Sequence, residues 1–319
     1  MVPDALPVVP SLLVIVGPTG SGKTRLAVEV AEAVGGEIVS ADAFAVYRGL
    51  DIGTDKPDPE LRTRVPHHLV DVADPQERFS AGRFASDAAE AIAGIRARGL
   101  TPIVAGGTHF WVRALLVGLF PSPPHDPRLR TRLAAQWRHD AEATFRRLER
   151  VDPLAAARIG PCDRQRILRA LEVYDLTGTT LSDHWRRHRP QPRYRSLLVA
   201  PSFSRKVLYV NIESRVDRMF ALGLVEEVRA LLASGVPRDA HALKAIGYRE
   251  VARMLEGQID RATAMDQIKI ASRRLAKRQL TWLRSLREGR LHWVPPAESG
   301  GTDAALVLWN DFLREGGGR

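Results

Sequence analysis

The stretch L-L-V-I-V-G-P-T-G-S-G-K-T, residues 12–24, decides how the rest of the chain is read. Residues 12–16 are apolar and partly β-branched, the pattern of a strand buried on both faces. Residues 24–34 (T-R-L-A-V-E-V-A-E-A-V) carry helical spacing that stops at Gly35-Gly36. Between them lies G-x4-G-K-T, the phosphate-loop pattern in the strand-to-helix context that gives it meaning. Its glycines let backbone N–H groups converge on phosphate oxygens at a helix N-terminus. Gly17, Pro18, Thr19, Gly20, Ser21, Gly22, Lys23 and Thr24 are therefore candidate ligands of a di- or triphosphate. Lys23 would neutralise the phosphates, and the Thr24 hydroxyl would ligate Mg²⁺.

Working outward, residues 37–41 read as a second strand that ends at Asp42. Residues 85–97 read as a helix closed by Gly99, and 102–105 as a third strand running into Gly106-Gly107-Thr108. Strands alternating with helices predict an α/β fold: a P-loop NTPase-like parallel sheet flanked by helices on both faces. The segment P-S-P-P at 121–124 interrupts this pattern, and everything from 127 to about 183 is helical and strongly charged. R-P-Q-P-R at 189–193 is a second break, and 197–200 is an apolar run that could rejoin the sheet. Residues 214–287 are again helical, with breaks near 235–237 and at Gly257. The expected organisation is a core of residues 11–122 and 191–290 with a helical C-terminal region, a helical insertion domain at 123–190, and a C-terminal extension at 291–319. The closing E-G-G-G-R is expected to be disordered. No internal repeat has a fixed period.

The chain has 319 residues and a formal net charge of +10, and only six of its 47 basic residues are lysine. Arginine suits bidentate phosphate contacts, so a polyanionic partner is one source of the bias and an arginine-rich composition is another. The single cysteine, Cys162, excludes an intrachain disulfide and fits a reducing compartment. It has no Cys or His neighbours and reads as a small buried or neutral residue. No run of 18 apolar residues suggests a membrane span, and the opening M-V-P-D-A-L-P lacks the basic region of a signal peptide. The expectation is a cytoplasmic protein.

Asp42 falls at the carboxyl end of a strand, where open parallel sheets bind their ligands. It could be a general base, a metal ligand through water, or the N-cap of the next turn. An aspartate preceded by four apolar residues, the mark of a motor ATPase, is not evident; Asp71 in H-H-L-V-D comes nearest. Gly106-Gly107-Thr108 is either a close approach to ligand or a simple turn. His67 and His68 would face opposite ways in a strand and could not share a metal. Arg215 and Arg218 sit three apart on a helical stretch. The segment S-R-R-L-A-K-R-Q-L-T-W-L-R at 272–284 carries dense positive charge beside Trp282, the footprint expected for RNA phosphates.

With these residues in view the chain resembles the tRNA dimethylallyltransferases, or tRNA isopentenyltransferases. The resemblance runs in order along nearly the whole chain. It rests on G-P-T-G-S-G-K-T, S-A-D-A-F-A-V-Y-R-G-L-D-I-G-T-D-K-P (40–57), P-H-H-L-V-D (66–71), F-S-A-G-R-F (79–84) and G-G-T-H-F-W (106–111). It continues in D-R-Q-R-I-L-R-A-L-E-V-Y (163–174), A-I-G-Y-R-E (245–250) and R-R-L-A-K-R-Q-L-T-W-L-R (273–284). The phosphate loop alone is shared very widely; the 40–57 block together with L-A-K-R-Q-x-T-W is far more specific.

The resemblance implies transfer of a dimethylallyl group from dimethylallyl diphosphate to N6 of adenosine 37, beside the anticodon of tRNAs that read codons beginning with U. It implies Asp42 as the base on that amine, Lys23 and Thr24 on the diphosphate and Mg²⁺, and Arg215 near the leaving pyrophosphate. Thr19, Ser40, Tyr47, Gly107 and Thr108 are implied as substrate-binding. Asp42, Gln165, Arg166, Arg169, Lys244, Arg273, Arg274, Lys277, Arg278, Gln279 and Trp282 are implied to meet the tRNA anticodon stem-loop. A monomer is expected.

Four departures stand out. Where the family pattern reads L-Y-x-R-I, this chain has Leu208-Tyr-Val-Asn-Ile212, so Asn211 replaces an arginine that Arg205 or Arg218 could supply. Ala45 stands where many relatives have glutamine, and His109 and Trp111 where many have glycine and tyrosine; His109 could narrow the pocket entrance. Two other readings remain: an adenylate isopentenyltransferase acting on free nucleotide, and an RNA-binding P-loop NTPase. The basic C-terminal helices speak against the first, the missing acidic motif against the second.

Overall fold

The structure, a computed structural model, describes residues 9–120, 123, 126–188, 191–286 and 290–317. The elements run β1 (Ser11–Val16), α1 (Lys23–Val34), β2 (Gly36–Ser40), α2 (Pro59–Arg64), β3 (His67–His68), α3 (Ala81–Ala97), β4 (Thr101–Gly106) and α4 (His109–Val117). Five helices follow: α5 (Pro127–His139), α6 (Ala141–Val151), α7 (Pro153–Ile159), α8 (Arg164–Thr177) and α9 (Leu181–Arg187). The chain continues through β5 (Arg195–Pro201), α10 (Arg205–Ala221), α11 (Leu224–Ala233), α12 (Tyr248–Leu255), α13 (Arg261–Arg284), β6 (Arg290–Val294) and α14 (Gly301–Gly317).

The six strands form one parallel sheet in the order β3-β2-β4-β1-β5-β6. β1 lies between β4 and β5, which is why its sequence is apolar without alternation: both faces are covered. Leu12, Val14 and Val16 pack into a core on one face, with α3, α4 and the C-terminal helices. Leu13 and Ile15 pack on the other, against α1 and α14. The parallel sheet flanked by helices agrees with the fold expected from the sequence. β6 and α14 had no counterpart in that reading. His292 and Trp293 sit in a short strand that pairs with β5, and α14 supplies Trp309 and Phe312 to the second core. The E-G-G-G-R tail is helical as far as Gly317, and its remaining two residues lie outside the described part. So do residues 1–8, on which the targeting expectation rests, and parts of both proline breaks.

The chain divides into two compact units, Met1–Val117 with Pro192–Arg319, and Gly118–Gln191. The second is a small helical unit whose sequence starts four of its five helices with aspartate and the fifth, α9, with Thr180. Asp126, Asp140, Asp152 and Asp163 each accept an amide of the following first turn, a contribution of about 1 kcal/mol apiece. Leu133, Leu148, Ile167 and Leu171 form its buried centre. Glu172 on α8 is fully buried and receives Arg130 and Arg169. Cys162, expected to be buried or neutral, is exposed and free.

Candidate active site

The phosphate loop leaves β1 at the carboxyl edge of the sheet. Gly20 and Gly22 have φ near +80°, a conformation that costs glycine nothing and that their sequence positions demand. Gly22 precedes α1, so the amides of Lys23 and Thr24 head a helix and have no intrahelical partner. β4 pairs with β1 in the register Val16↔Gly106, bringing the two glycine turns side by side. A Cβ at Gly106 would lie 2.2 Å from the Ala41 carbonyl, so that glycine is dictated by backbone approach.

A pocket of about 790 Å³ opens in front of this loop. Thr19, Lys23, Thr24, Ser40, Asp42, Arg215, Lys244, Arg274 and Arg278 all border it. Its remaining wall is mostly apolar, with Ile212, Val216, Met219, Ile246 and Leu275. Lys23 makes no ion pair or hydrogen bond among the described residues. Burial pushes its ammonium below the ordinary lysine value; the Asp42 charge opposes that, and Arg215 adds to it. The site therefore holds a cation that borders the pocket without an ion-pair partner among the described residues. Arg215 donates to the Thr19 hydroxyl and lies 3.5 Å from Asp55.

Asp42 is fixed by its own turn: Oδ1 accepts the amides of Phe44 at 2.9 Å and Ala45 at 3.2 Å. Oδ2 has no hydrogen-bond partner among the described residues. The N-cap reading and the base reading of Asp42 are thus compatible, one for each oxygen. The Thr108 hydroxyl accepts the Ala43 amide at 2.9 Å, holding the same turn from behind. The segment around Asp55 is held by ion pairs and a backbone cradle. Lys56, almost fully buried, reaches Asp51 at 2.7 Å and Asp71 at 2.5 Å, and the Glu227 carboxylate accepts the amides of Asp51 and Ile52.

Several residues singled out in the sequence lie elsewhere. Tyr47 is fully buried, its hydroxyl accepting the Phe79 amide and meeting His241, so it is a core residue and not a substrate contact. Gly107 and Thr108 do not border the pocket; Gly106 does. Trp282 is half-buried and stacked on the His109 ring, centroids 4.2 Å apart, which occupies one face of its indole. Gln279 does border the pocket, but it is 8% exposed and bonded to the protein backbone through both amide atoms. Arg273 pairs with Glu213, and Arg169 with Glu172, which takes each charge away from a partner molecule. Lys277 borders a different cleft, of about 600 Å³, with Arg205, Tyr209, Arg284 and Trp293. Adjacent helical positions point about 100° apart, which separates Lys277 from Arg278. On α8, Gln165 and Arg166 are exposed, the latter 3.4 Å from Asp163.

Asp71, the nearest thing to an ATPase acid, is occupied by Lys56 and Arg62. His68 bonds Glu37 and His67 bonds the Val65 carbonyl, as expected of side chains that face apart. His109 does not narrow the entrance: it is buried under α13, its Nε2 has no partner among the described residues, and burial, then Lys23, push its pKa down to about 4. Trp111 is stacked on Phe84 in the core. Asn211, in place of the family arginine, donates to the Gly20 carbonyl at 3.1 Å. Sequence reasoning assigned no role to Asp55 or Glu227. Asp55 lay in plain sight inside D-I-G-T-D-K-P, whereas nothing local marks Glu227, which acts from a distant helix.

A phosphate loop at the carboxyl edge of a parallel sheet, facing a carboxylate across one pocket, defines a P-loop protein that acts on a phosphorylated substrate. The chain matches the IPP transferase family over residues 45–286 and the isopentenyl transferase description over 10–70. It is 48% identical to the tRNA dimethylallyltransferase of Geobacter metallireducens, covering 89% of this chain and 92% of that one. It is 45% identical to that of Thermomicrobium roseum, covering 95% and 89%. Among solved structures it resembles the tRNA isopentenylpyrophosphate transferase of Bacillus halodurans, with a TM-score of 0.71, 35% identity and coverage of 96% and 98%. The chain belongs to the IPP transferase family.

Proposed function

We propose that the protein transfers a dimethylallyl group from dimethylallyl diphosphate to N6 of adenosine 37 in tRNAs that read codons beginning with U, releasing diphosphate. The observation that carries this reading is the pairing of two ends in one pocket. Lys23 and Arg215 stand beside the phosphate loop, and Asp42, with one oxygen unpaired among the described residues, borders the same pocket. The names of the Geobacter and Thermomicrobium relatives support tRNA as the acceptor.

In this reading the N6 lone pair forms a C–N bond to the allylic carbon as the carbon–oxygen bond breaks and its electron pair leaves with the diphosphate. Lys23 and Arg215 balance the negative charge that develops on the leaving oxygens. Arg215 is preorganised for this by Thr19 and Asp55. Asp42 Oδ2 accepts the proton lost from N6, while Oδ1 keeps the carboxylate in place. The apolar wall of Ile212, Val216, Met219 and Leu275 suits a branched hydrocarbon chain. Lys244, Arg274 and Arg278 supply cations for the RNA backbone. The target base must leave its stack to reach Asp42, which a single-stranded loop makes inexpensive.

The residues present fit Mg²⁺. The described residues hold no cluster of three acidic, His or Cys side chains that would cage a metal. Thr24 is exposed at the loop, and Mg²⁺ prefers one or two protein ligands plus substrate phosphates. Thr24 with the donor's phosphates would hold the ion, which would supply further charge neutralisation to the leaving group. No helix among the described residues is long and apolar enough to cross a membrane. Action on tRNA supports a cytoplasmic location in this reading, and a monomer is proposed with it.

Labelled dimethylallyl diphosphate, offered with Mg²⁺ and a choice of tRNA, AMP and ATP, tests the reading. Label is expected on the tRNA. Label on AMP or ATP would assign a free-nucleotide transferase, and ATP hydrolysis stimulated by RNA without labelling would assign a P-loop NTPase.

A further inference from the structure

Side chains from far along the sequence grip the phosphate loop. From α10, Arg215 donates to the Thr19 hydroxyl and Asn211 to the Gly20 carbonyl. From α13, Gln279 reaches the same turn: its Oε1 accepts the Thr19 amide at 2.9 Å, and its Nε2 donates to the Gly107 carbonyl at 2.9 Å. Because one partner is a donor and the other an acceptor, the amide can satisfy both in one orientation alone. The residue is 8% exposed, so water does not readily substitute for either bond. Gly107 is sterically matched to it: a Cβ there would lie 2.6 Å from Gln279 Nε2 and 3.4 Å from the Gly17 carbonyl.

We propose that Gln279 is a positioning residue for the diphosphate, a latch through which α13 sets the shape of the phosphate loop. The inference rests on the functional reading above only in naming the diphosphate as the loop's ligand. Gln279 takes the Thr19 amide out of contention, leaving the amides at the head of α1 to address phosphate oxygens. It also ties the end of β4 to the loop, so Gly17, Gly107 and α13 move as one body. Arg278, the preceding residue, borders the pocket. The helix that carries pocket cations is thereby the helix that holds the loop. Without the latch, the Thr19 peptide loses its one side-chain acceptor and the loop gains freedom that phosphate binding must remove.

Three variants test this by different routes. Gln279→Met keeps the length and removes both bonds. Gln279→Glu keeps an acceptor for Thr19 but sets oxygen against the Gly107 carbonyl. Gly107→Ala displaces the amide without altering Gln279. Calorimetric titration with pyrophosphate and Mg²⁺ is expected to show affinity lowered about tenfold or more in each. The KM for dimethylallyl diphosphate should rise by a similar factor, while kcat at saturating donor falls by much less. A purely structural role predicts the opposite split: fewer active molecules, a lower kcat, and unchanged KM and pyrophosphate affinity, and that result overturns the proposal. Pyrophosphate binding does not depend on the acceptor, so a wild-type protein that fails to prenylate tRNA would refute the functional reading and leave the latch to be judged on its own.

Discussion

Helices α8 and α13 are both rich in basic residues, and from sequence both read as RNA-facing. The structure separates them. On α8, Arg169 is bonded to the buried carboxylate of Glu172, and Arg166 lies near Asp163. On α13, Arg274, Lys277, Arg278 and Arg284 have no carboxylate partner among the described residues, whereas Arg273 and Lys269 do. Local density of arginine therefore does not distinguish a cation that holds a fold from one that can meet a polyanion. The distinction lies in which carboxylates are within reach: on α8 they come from the helix itself and its cap, three residues away, and on α13 they come from α10.

The largest effect expected from this contrast is on RNA binding. Replacing Arg274, Lys277 and Arg278 together by alanine should weaken tRNA affinity about a hundredfold near physiological salt and reduce the slope of log K against log salt by about 2–3. Arg166→Ala on α8 should change affinity by less than about threefold. A filter-binding series across salt concentrations measures both; equal losses from the two helices would erase the contrast.

Next in size is the structural role of the buried carboxylate. Glu172→Ala leaves Arg130 and Arg169 without their shared partner, and both are still partly exposed, so the cost is expected to be roughly 2–3 kcal/mol and not the full penalty of a buried ion. Hydrogen exchange in the Gly118–Gln191 unit should read the loss, with the salt slope of RNA binding unchanged. A normal exchange pattern would show that these arginines are not structural.

The smallest effect concerns the buried side of α13. His109, stacked under Trp282, has its pKa pushed down to about 4 from 6.5. The unfolded chain takes up the proton first, so stability is full above pH 6.5 and declines as pH falls toward 4, by about 2 kcal/mol between pH 7 and pH 5. His109→Phe keeps a ring against Trp282 and should flatten that part of the curve in a pH series of denaturant unfolding. A variant that tracks the wild type across the range would remove His109 from this account.

Much of the core was legible because its signals are local. Residues 12–24 hold a strand, a glycine turn and a helix start in contiguous sequence, and the carboxyl ends at Asp42 and Gly106 follow from the same alternation. The rest depends on long-range partners. Tyr47 looks like a pocket residue until Phe79 and His241 are seen to enclose its hydroxyl. Gln279 and Trp282 sit in a basic stretch, but their positions on the helix turn them toward the loop and His109. β6 was hidden because five residues with a charged start and two aromatic tips carry no clean strand signature, and its pairing with β5 was decided by the sheet edge.

Asp42→Asn in single-turnover transfer, with tRNA affinity measured on the same preparation, tests the central claim most directly. The substitution keeps an oxygen for the Phe44 and Ala45 amides while removing the proton acceptor. The expected result is tRNA affinity within a few-fold of wild type and transfer slowed by about 10²–10⁴. Undiminished transfer, or a loss explained entirely by weaker tRNA binding, would contradict the assignment of Asp42 as the base facing the phosphate loop.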